Sequence, residues 1–362
     1  MSDSLIGRKK CDLETPALLV DLDTFEENIA RLSAYCREHG CNWRPHTKAY
    51  KCPEIARLLL KAGAIGVTCA NLPDAEVMAA AGIDDILIAN QVVTPGKLQR
   101  LAALQKRTRV ICTVDNLEVA GRMAEAARQM GTRIPVLIDI DIGMDRTGIL
   151  PGAPVLELAQ RIFGSDGLEF EGIMGYEGHI LGVKPPEEKI RQCGEALDRL
   201  LECRDLLVGN GVSVGIVSAG GTGCYSITTA YQGITEVQAG GGIFMDAKYR
   251  EQFSVDTLDF ALTVLGTVTS RHPSHLVLDA GFKVMSAYHE PPRTLDRKDL
   301  TFRYLSSDCG VWEVAEGSVG SRVGDQIELI VGYSDSTMFL HRRLIGLREG
   351  VVEKVWKIVL PS

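Results

Sequence analysis

Residues 135–141 read PVLIDID and are followed at once by IGMDRTG, residues 142–148. A short run of branched apolar side chains gives way to polar residues and glycine. The same pattern recurs along the first two-thirds of the chain, in the runs 17–21, 41–46, 65–70, 86–90, 109–115, 169–176, 215–219 and 235–239. Between the runs lie stretches of helical character, such as 23–38 and 53–62. The second of these opens on Pro53, which suits the first turn of a helix. Runs that stay apolar throughout belong to strands buried on both faces, so the repeated βα units predict a parallel sheet. Setting aside the first run leaves about eight units, the number that closes a TIM-type (β/α)8 barrel. An open doubly wound sheet is the alternative, but it normally carries its glycine-rich loop after the first strand. Here the glycine-rich segments, 218–223 and 238–242, come late, at the usual place of a barrel's phosphate site.

From about Leu262 the texture changes. LTVLGTVTSR, HLVLDAG, DQIELIVG and VVEKVWKIVL alternate apolar and polar residues with glycine or aspartate between them. This predicts an antiparallel β domain. The expected fold class is therefore α/β, a (β/α)8 barrel over 24–261 plus a C-terminal antiparallel β domain over 262–362, the latter joined by 1–23.

Bulk properties exclude several classes of function. The 362 residues are 45% hydrophobic and 24% charged, an ordinary globular balance with room for a large core. A net charge of −8 argues against nucleic acid or an anionic membrane as partner. No apolar run has transmembrane length, and the opening MSDSLIGRKKCDLE has no apolar core, so neither a membrane span nor a signal peptide is expected. The ten cysteines are irregularly spaced with no CxxC pair, which predicts free thiols in a reducing cytoplasm rather than a zinc cage.

Four segments can carry chemistry. WRPHTKAYK, residues 43–51, places Lys48 and Lys51 at the end of the first barrel strand, where active-site residues of barrels lie. Desolvation there lowers a lysine's pKa and makes its amine nucleophilic toward an aldehyde, although most lysines are simply solvated. The turn after residues 135–141 presents Arg146, whose planar donors can bind a phenolate or a carboxylate, or can pair with Asp139, Asp141 or Asp145. Ser218-Ala219-Gly220-Gly221-Thr222-Gly223 and Gln238-Ala239-Gly240-Gly241-Gly242 can turn backbone N–H groups toward an anion. Neither has the lysine of a Walker loop or the spacing of a dinucleotide fingerprint, and each can also be a plain turn. Tyr176-Glu177-Gly178-His179 ends the seventh run, with His179 either a general acid or base or an ordinary hydrogen-bonded side chain.

With RPHTK (44–48), DIGMDRTGI (141–149), SAGGTG (218–223), EVQAGGGIFMD (236–246), LVLDAGFK (276–283), the opening TPALLVDLDTFEENI (15–29) and the closing GLREGVVEKVWKI (346–358), the chain resembles the D-threonine aldolase and D-serine dehydratase family. These are fold-type III pyridoxal 5'-phosphate enzymes related to alanine racemases, and the resemblance covers nearly the whole chain. It implies that Lys48 carries the cofactor as a Schiff base, with Lys51 secondary. It sets Arg146 at the arginine that contacts the cofactor's phenolic oxygen, and Gly221, Thr222, Gly240 and Gly241 in phosphate-binding loops. Gln238 stands where alanine racemases carry an arginine facing the pyridine nitrogen, and a neutral partner there makes the ring a weaker electron sink. Tyr176 and Ser218 are counted with the same cofactor-binding set.

The resemblance implies breakage of a bond at Cα, with the freed Lys48 as proton-transfer base. Cleaving Cα–Cβ of a β-hydroxy amino acid yields glycine and an aldehyde. Losing the α-proton and then the hydroxyl yields a keto acid and ammonia. Family members also bind a divalent metal through a late His-x-Asp or His-x-Cys pair, and here the chain departs from them. Tyr333 replaces the histidine, while Asp335 is retained as a lone metal-ligand candidate, a weak site. The Glu-His pair near 306–310 is altered as well, leaving Asp308 and Cys309. Glu177 stands where aldolases often place a histidine, with His179 two residues later. Tyr333 is either an acid–base group in place of the metal or a packing residue.

The expected activity is thus a lyase acting on a D-β-hydroxy amino acid by aldol cleavage, with catalytic Lys48, His179 and Tyr333. A D-hydroxyamino-acid dehydratase and a metal-independent racemase are the alternatives. A non-enzymatic pyridoxal-phosphate carrier is usually a single barrel, which the β domain argues against. The resemblance also implies a homodimer, because related enzymes build the site between one barrel and the partner's β domain.

Overall fold

The computed structural model describes residues 5–288, 290–318 and 321–360, so the ends of the expected segments, 1–4 and 361–362, lie outside the described residues. The chain divides into two compact units. One comprises Met1–Arg31, Ala49–Cys52 and Gly241–Leu360, and the other is built on Leu32–Lys48 and Pro53–Gly240.

The first apolar run forms β1 (Ala17–Asp21), which lies outside the parallel barrel sheet. That sheet contains β2 (Asn42–Trp43), β3 (Val67–Cys69), β4 (Ile86–Gln91), β5 (Val110–Val114), β6 (Ile134–Asp139), β7 (Leu168–Met174), β8 (Ile216–Ala219) and β9 (Glu236–Val237). Its order is β2-β9-β8-β7-β6-β5-β4-β3, parallel throughout. The His46–Thr68 bridge joins the two outermost strands, with the Thr68 amide donating to the Pro45 carbonyl at 3.1 Å and Ile65 to Trp43 at 2.9 Å. These bonds close the ring expected from the eight units. Every residue of β5 and β6 is buried, which is why those runs do not alternate.

Helices alternate with the strands: α1 (Leu22–Glu38), α2 (Pro53–Lys61), α3 (Leu72–Ala80), α4 (Pro95–Leu104), α5 (Leu117–Met130), α6 (Ala153–Phe163), α7 (Pro186–Gly209) and α8 (Tyr225–Thr229). Their ends are written locally. The Asn116 side chain accepts from the Glu118 and Val119 amides to start α5, and Gly131, at φ 64°, ends it in the left-handed conformation.

One buried cation pins the barrel seam. Arg44 is 1% exposed, lies just beyond β2, and places Nε 3.0 Å from Glu236 Oε2 on β9 and Nη1 2.6 Å from Asp85 Oδ1. Removing one partner of such a pair strands a buried charge, at a cost of about 3–5 kcal/mol. Trp43 adds a bond from Nε1 to the Ala239 carbonyl at 2.7 Å.

The other unit holds a nine-stranded sheet formed by β1 with β10 (Leu262–Arg271), β11 (His275–Leu278), β12 (Arg293–Thr294), β13 (Leu300–Leu305), β14 (Gly310–Val314), β15 (Gln326–Ile330), β16 (Arg343–Arg348) and β17 (Val351–Lys357). β10 pairs antiparallel with β1, β11 and β15, and β1 runs parallel to β16. The same unit carries α9 (Ala247–Glu251) and α10 (Ser334–Met338). Among the described residues no helix is long and apolar enough to cross a membrane.

Candidate active site

The barrel unit carries its sequence-selected residues at or just beyond the C-terminal ends of its strands. Lys48 lies in the 3-10 turn Thr47–Ala49 after β2, and its amide donates to His46 Nδ1 at 3.4 Å. Gly240, beyond β9, abuts this segment: a Cβ on Gly240 would lie 2.4 Å from the His46 carbonyl oxygen. Only glycine lets the two backbones approach so closely, two residues before Lys48. Lys51 instead groups with the other unit, where its carbonyl accepts from the Val359 amide at 2.9 Å.

The turn after β6 is held open around Arg146. Asp141 Oδ1 accepts from the amides of Gly143 and Met144, both at 2.9 Å, and of Asp145 at 3.2 Å. Asp139 takes hydrogen bonds from Gln91 and Thr147, and burial pushes its carboxyl above the usual carboxylate range. Both carboxylates are thus committed to other donors. The Arg146 guanidinium is exposed and lies 5.5 Å from the centre of the Tyr176 ring. His179 is exposed in the turn Gly178–Ile180, beside Gly143, where a Cβ would come within 3.0 Å of its Nε2.

The first glycine-rich loop follows β8 and backs onto the same tyrosine: a Cβ on Gly221 would meet the Tyr176 ring at 3.2 Å. Gly220 adopts φ +75°, a conformation that favours glycine. Ser218 is fully buried and its Oγ accepts from Gln238 Nε2 at 3.0 Å, so β8 and β9 present these two side chains as a pair. Thr222 is buried in the loop.

Beneath that loop lies a network that sequence reasoning did not select. Glu177 is fully buried and accepts from the Gly220 amide at 3.2 Å, the Cys224 thiol at 2.9 Å and the Thr228 hydroxyl. A hydrogen bond with Cys193, burial and the Glu177 charge raise the Cys224 pKa well above that of an ordinary thiol, so it remains a proton donor. On the other side, Lys189 Nζ donates to the Gly223 carbonyl at 2.6 Å, and burial lowers that amine's pKa. One signal was available: Lys189 shares the buried stripe of α7 with Cys193, Ala196, Leu197 and Leu200.

The second unit holds the other selected residues. Gly241 packs on Tyr249, whose hydroxyl would be 2.5 Å from a Cβ at that position. The Tyr333 hydroxyl donates to Asp335 Oδ2 at 2.8 Å. Asp308 pairs at the surface with Lys283 at 3.0 Å, and Cys309 is a half-buried free thiol. No three His, Cys, Asp or Glu side chains gather as a cation site among the described residues.

A family model described as alanine racemase, N-terminal domain, matches residues 20–248, and one described as putative serine dehydratase domain matches 261–347. The chain belongs to the fold-type III family of pyridoxal-phosphate enzymes. Within this family it is 36% identical to a D-threonine aldolase of Arthrobacter sp. over 349 residues, which is 96% of this chain and 92% of that protein. It is 32% identical to a 3-hydroxy-D-aspartate aldolase of Paracoccus denitrificans (strain Pd 1222), over 98% and 94% of the two chains. The crystal structure of D-threonine aldolase from Filomicrobium marinum superposes with a TM-score of 0.94 at 33% identity, covering 98% of this chain and 97% of that one.

Proposed function

We propose that this chain is a pyridoxal-phosphate-dependent lyase that cleaves the Cα–Cβ bond of a D-β-hydroxy amino acid to glycine and an aldehyde. What carries this reading is the presence of three parts on one barrel: the strand-end Lys48, an exposed Arg146 over the Tyr176 ring, and a glycine loop clamped from both sides. The identity to two aldolases over nearly the full chain supports the same reaction type.

The residues suit the cofactor. Lys48 would hold its aldehyde carbon and Arg146 its phenolic oxygen. Gly221, Thr222, Gly240 and Gly241 would hold the phosphate. Tyr176 and Ser218 would line the ring, and Gln238 would face the pyridine nitrogen. When bound, pyridoxal phosphate supplies an electron sink for the pair released at Cα. The chain's own work is orientation and proton transfer. The loop's amides are pre-set by the Glu177 and Lys189 bonds, so little reorganisation is needed to meet an anion. The Lys48 amine, His179 and the Tyr333 hydroxyl are the proposed proton-transfer groups. A homodimer belongs to this reading and is checked by sedimentation. The ten free cysteines accord with a reducing, cytoplasmic setting.

The test is product analysis with D-threonine, D-phenylserine and 3-hydroxy-D-aspartate. Glycine plus the matching aldehyde is expected. A keto acid with ammonia would point to a dehydratase, and α-deuterium loss with inversion and no fragments to a racemase. Either outcome would replace the lyase reading.

A further inference from the structure

The resemblance puts a divalent-metal pair at Tyr333 and Asp335, but what that pair itself offers is a phenol and one carboxylate, a poor set for such an ion, and no cluster of three ligand side chains stands among the described residues. Asp335 Oδ2 accepts the hydrogen bond of the Tyr333 hydroxyl, and a phenol engaged as a donor is a poor metal ligand. Beside the pair stands a cation supplied by the chain itself. Lys248 Nζ lies 4.2 Å from the centre of the Tyr333 ring and 5.1 Å from that of Phe253.

This placement is built into the backbone. The amides of Ala247 and Lys248 donate to the carbonyls of Val331 and Gly332, both at 3.1 Å. Fully buried Asp246 ties the same two segments together. One of its oxygens caps α9 at the Tyr249 amide, and the other accepts the amide and hydroxyl of Ser334, each at 2.7 Å. Ser334 is the residue between Tyr333 and Asp335. A lysine head normally reaches for water, whereas this one is delivered to the faces of two aromatic rings. A divalent ion bound beside Tyr333 would meet the ammonium held over that ring, and like charges repel most strongly where protein replaces water.

We propose that the Lys248 ammonium takes the place of the divalent cation, supplying the positive charge at the Tyr333–Asp335 pair and making the site independent of metal. Lys248 acts through Tyr333 and is a positioning residue. Its chemical role rests on the lyase reading, while the exclusion of metal does not.

The experiment is a manganese titration of chelator-treated holoprotein, read by the free-Mn2+ electron paramagnetic resonance signal, alongside cleavage kinetics. Wild type is expected to leave Mn2+ free at equimolar concentration and to lose no activity to EDTA. The double variant Tyr333→His/Lys248→Met is expected to bind about one equivalent. Lys248→Met is expected to lose tenfold or more in kcat at little changed KM, and Lys248→Arg to keep most of it. Stoichiometric Mn2+ binding by wild type, a double variant as blind to Mn2+ as wild type, or an unchanged kcat in Lys248→Met overturns the proposal. Should wild type cleave no D-β-hydroxy amino acid, the lyase reading falls while the manganese signal still decides this one.

Discussion

The Cys224 thiol lies 2.9 Å from Glu177 Oε1, fully buried, and this contact fastens the loop that follows β8 to the turn that follows β7. Glu177 also takes the Gly220 amide and the Thr228 hydroxyl, so three donors converge on one carboxylate. In Glu177→Gln the shape survives, but an NH2 group must face at least one of those donors. Losing a hydrogen bond to a buried charge costs about 1.5–3 kcal/mol. Part of that loss is expected to appear as roughly tenfold weaker pyridoxal phosphate binding, since about 1.4 kcal/mol is a factor of ten. Equilibrium dialysis of the cofactor checks it, and an unchanged Kd would remove Glu177 from the clamp.

Gly240 gives a steric test of how Lys48 is positioned. In Gly240→Ala the new methyl would sit 2.4 Å from the His46 carbonyl oxygen, a backbone atom, so the segment leading to Lys48 must move. Thermal unfolding is expected several degrees lower, with about 1–3 kcal/mol lost to overpacking, and cofactor occupancy is expected to fall. Gly182→Ala is the control, because nothing lies within 4 Å of its Cβ and its stability should not change. Equal melting temperatures for the two variants would contradict the close approach.

Much of the barrel was legible in the sequence. The run 17–21 coincides with β1, and 86–90 and 109–115 fall on β4 and β5. The barrel's first strand came out shorter than its run for a physical reason. At β2 the regular ladder stops after Trp43, where Arg44 turns to Glu236 and Asp85 and Pro45 has no amide to donate. The Glu177 clamp was not legible, because residues 177, 220, 224 and 228 meet only once β7 and β8 are neighbours. Lys248 was hidden similarly, since its partner ring is 85 positions away and α9 is too short to show a helical period.

Asp246 predicts a pH dependence of stability. Burial raises its pKa to about 7, despite hydrogen bonds from Ser334 and Tyr249 that pull it down. The folded chain therefore keeps a proton that the unfolded chain releases near pH 4, the ordinary aspartate value. The stabilising contribution is complete below about pH 4 and is lost as pH rises to about 7, at up to about 1.4 kcal/mol per pH unit. Asp246→Asn keeps an N-cap and cannot titrate. Relative to this variant, wild type should lose stability between pH 4 and 7 in denaturant melts. Parallel profiles would show that Asp246 does not titrate in that range.

The central claim is that Lys48, and not Lys51, carries the cofactor. Reducing the holoprotein with borohydride and mapping the phosphopyridoxyl group by peptide mass spectrometry tests it most directly. The group is predicted on Lys48, and on no lysine in Lys48→Ala. A phosphopyridoxyl group on Lys51 in the wild-type protein would contradict the account.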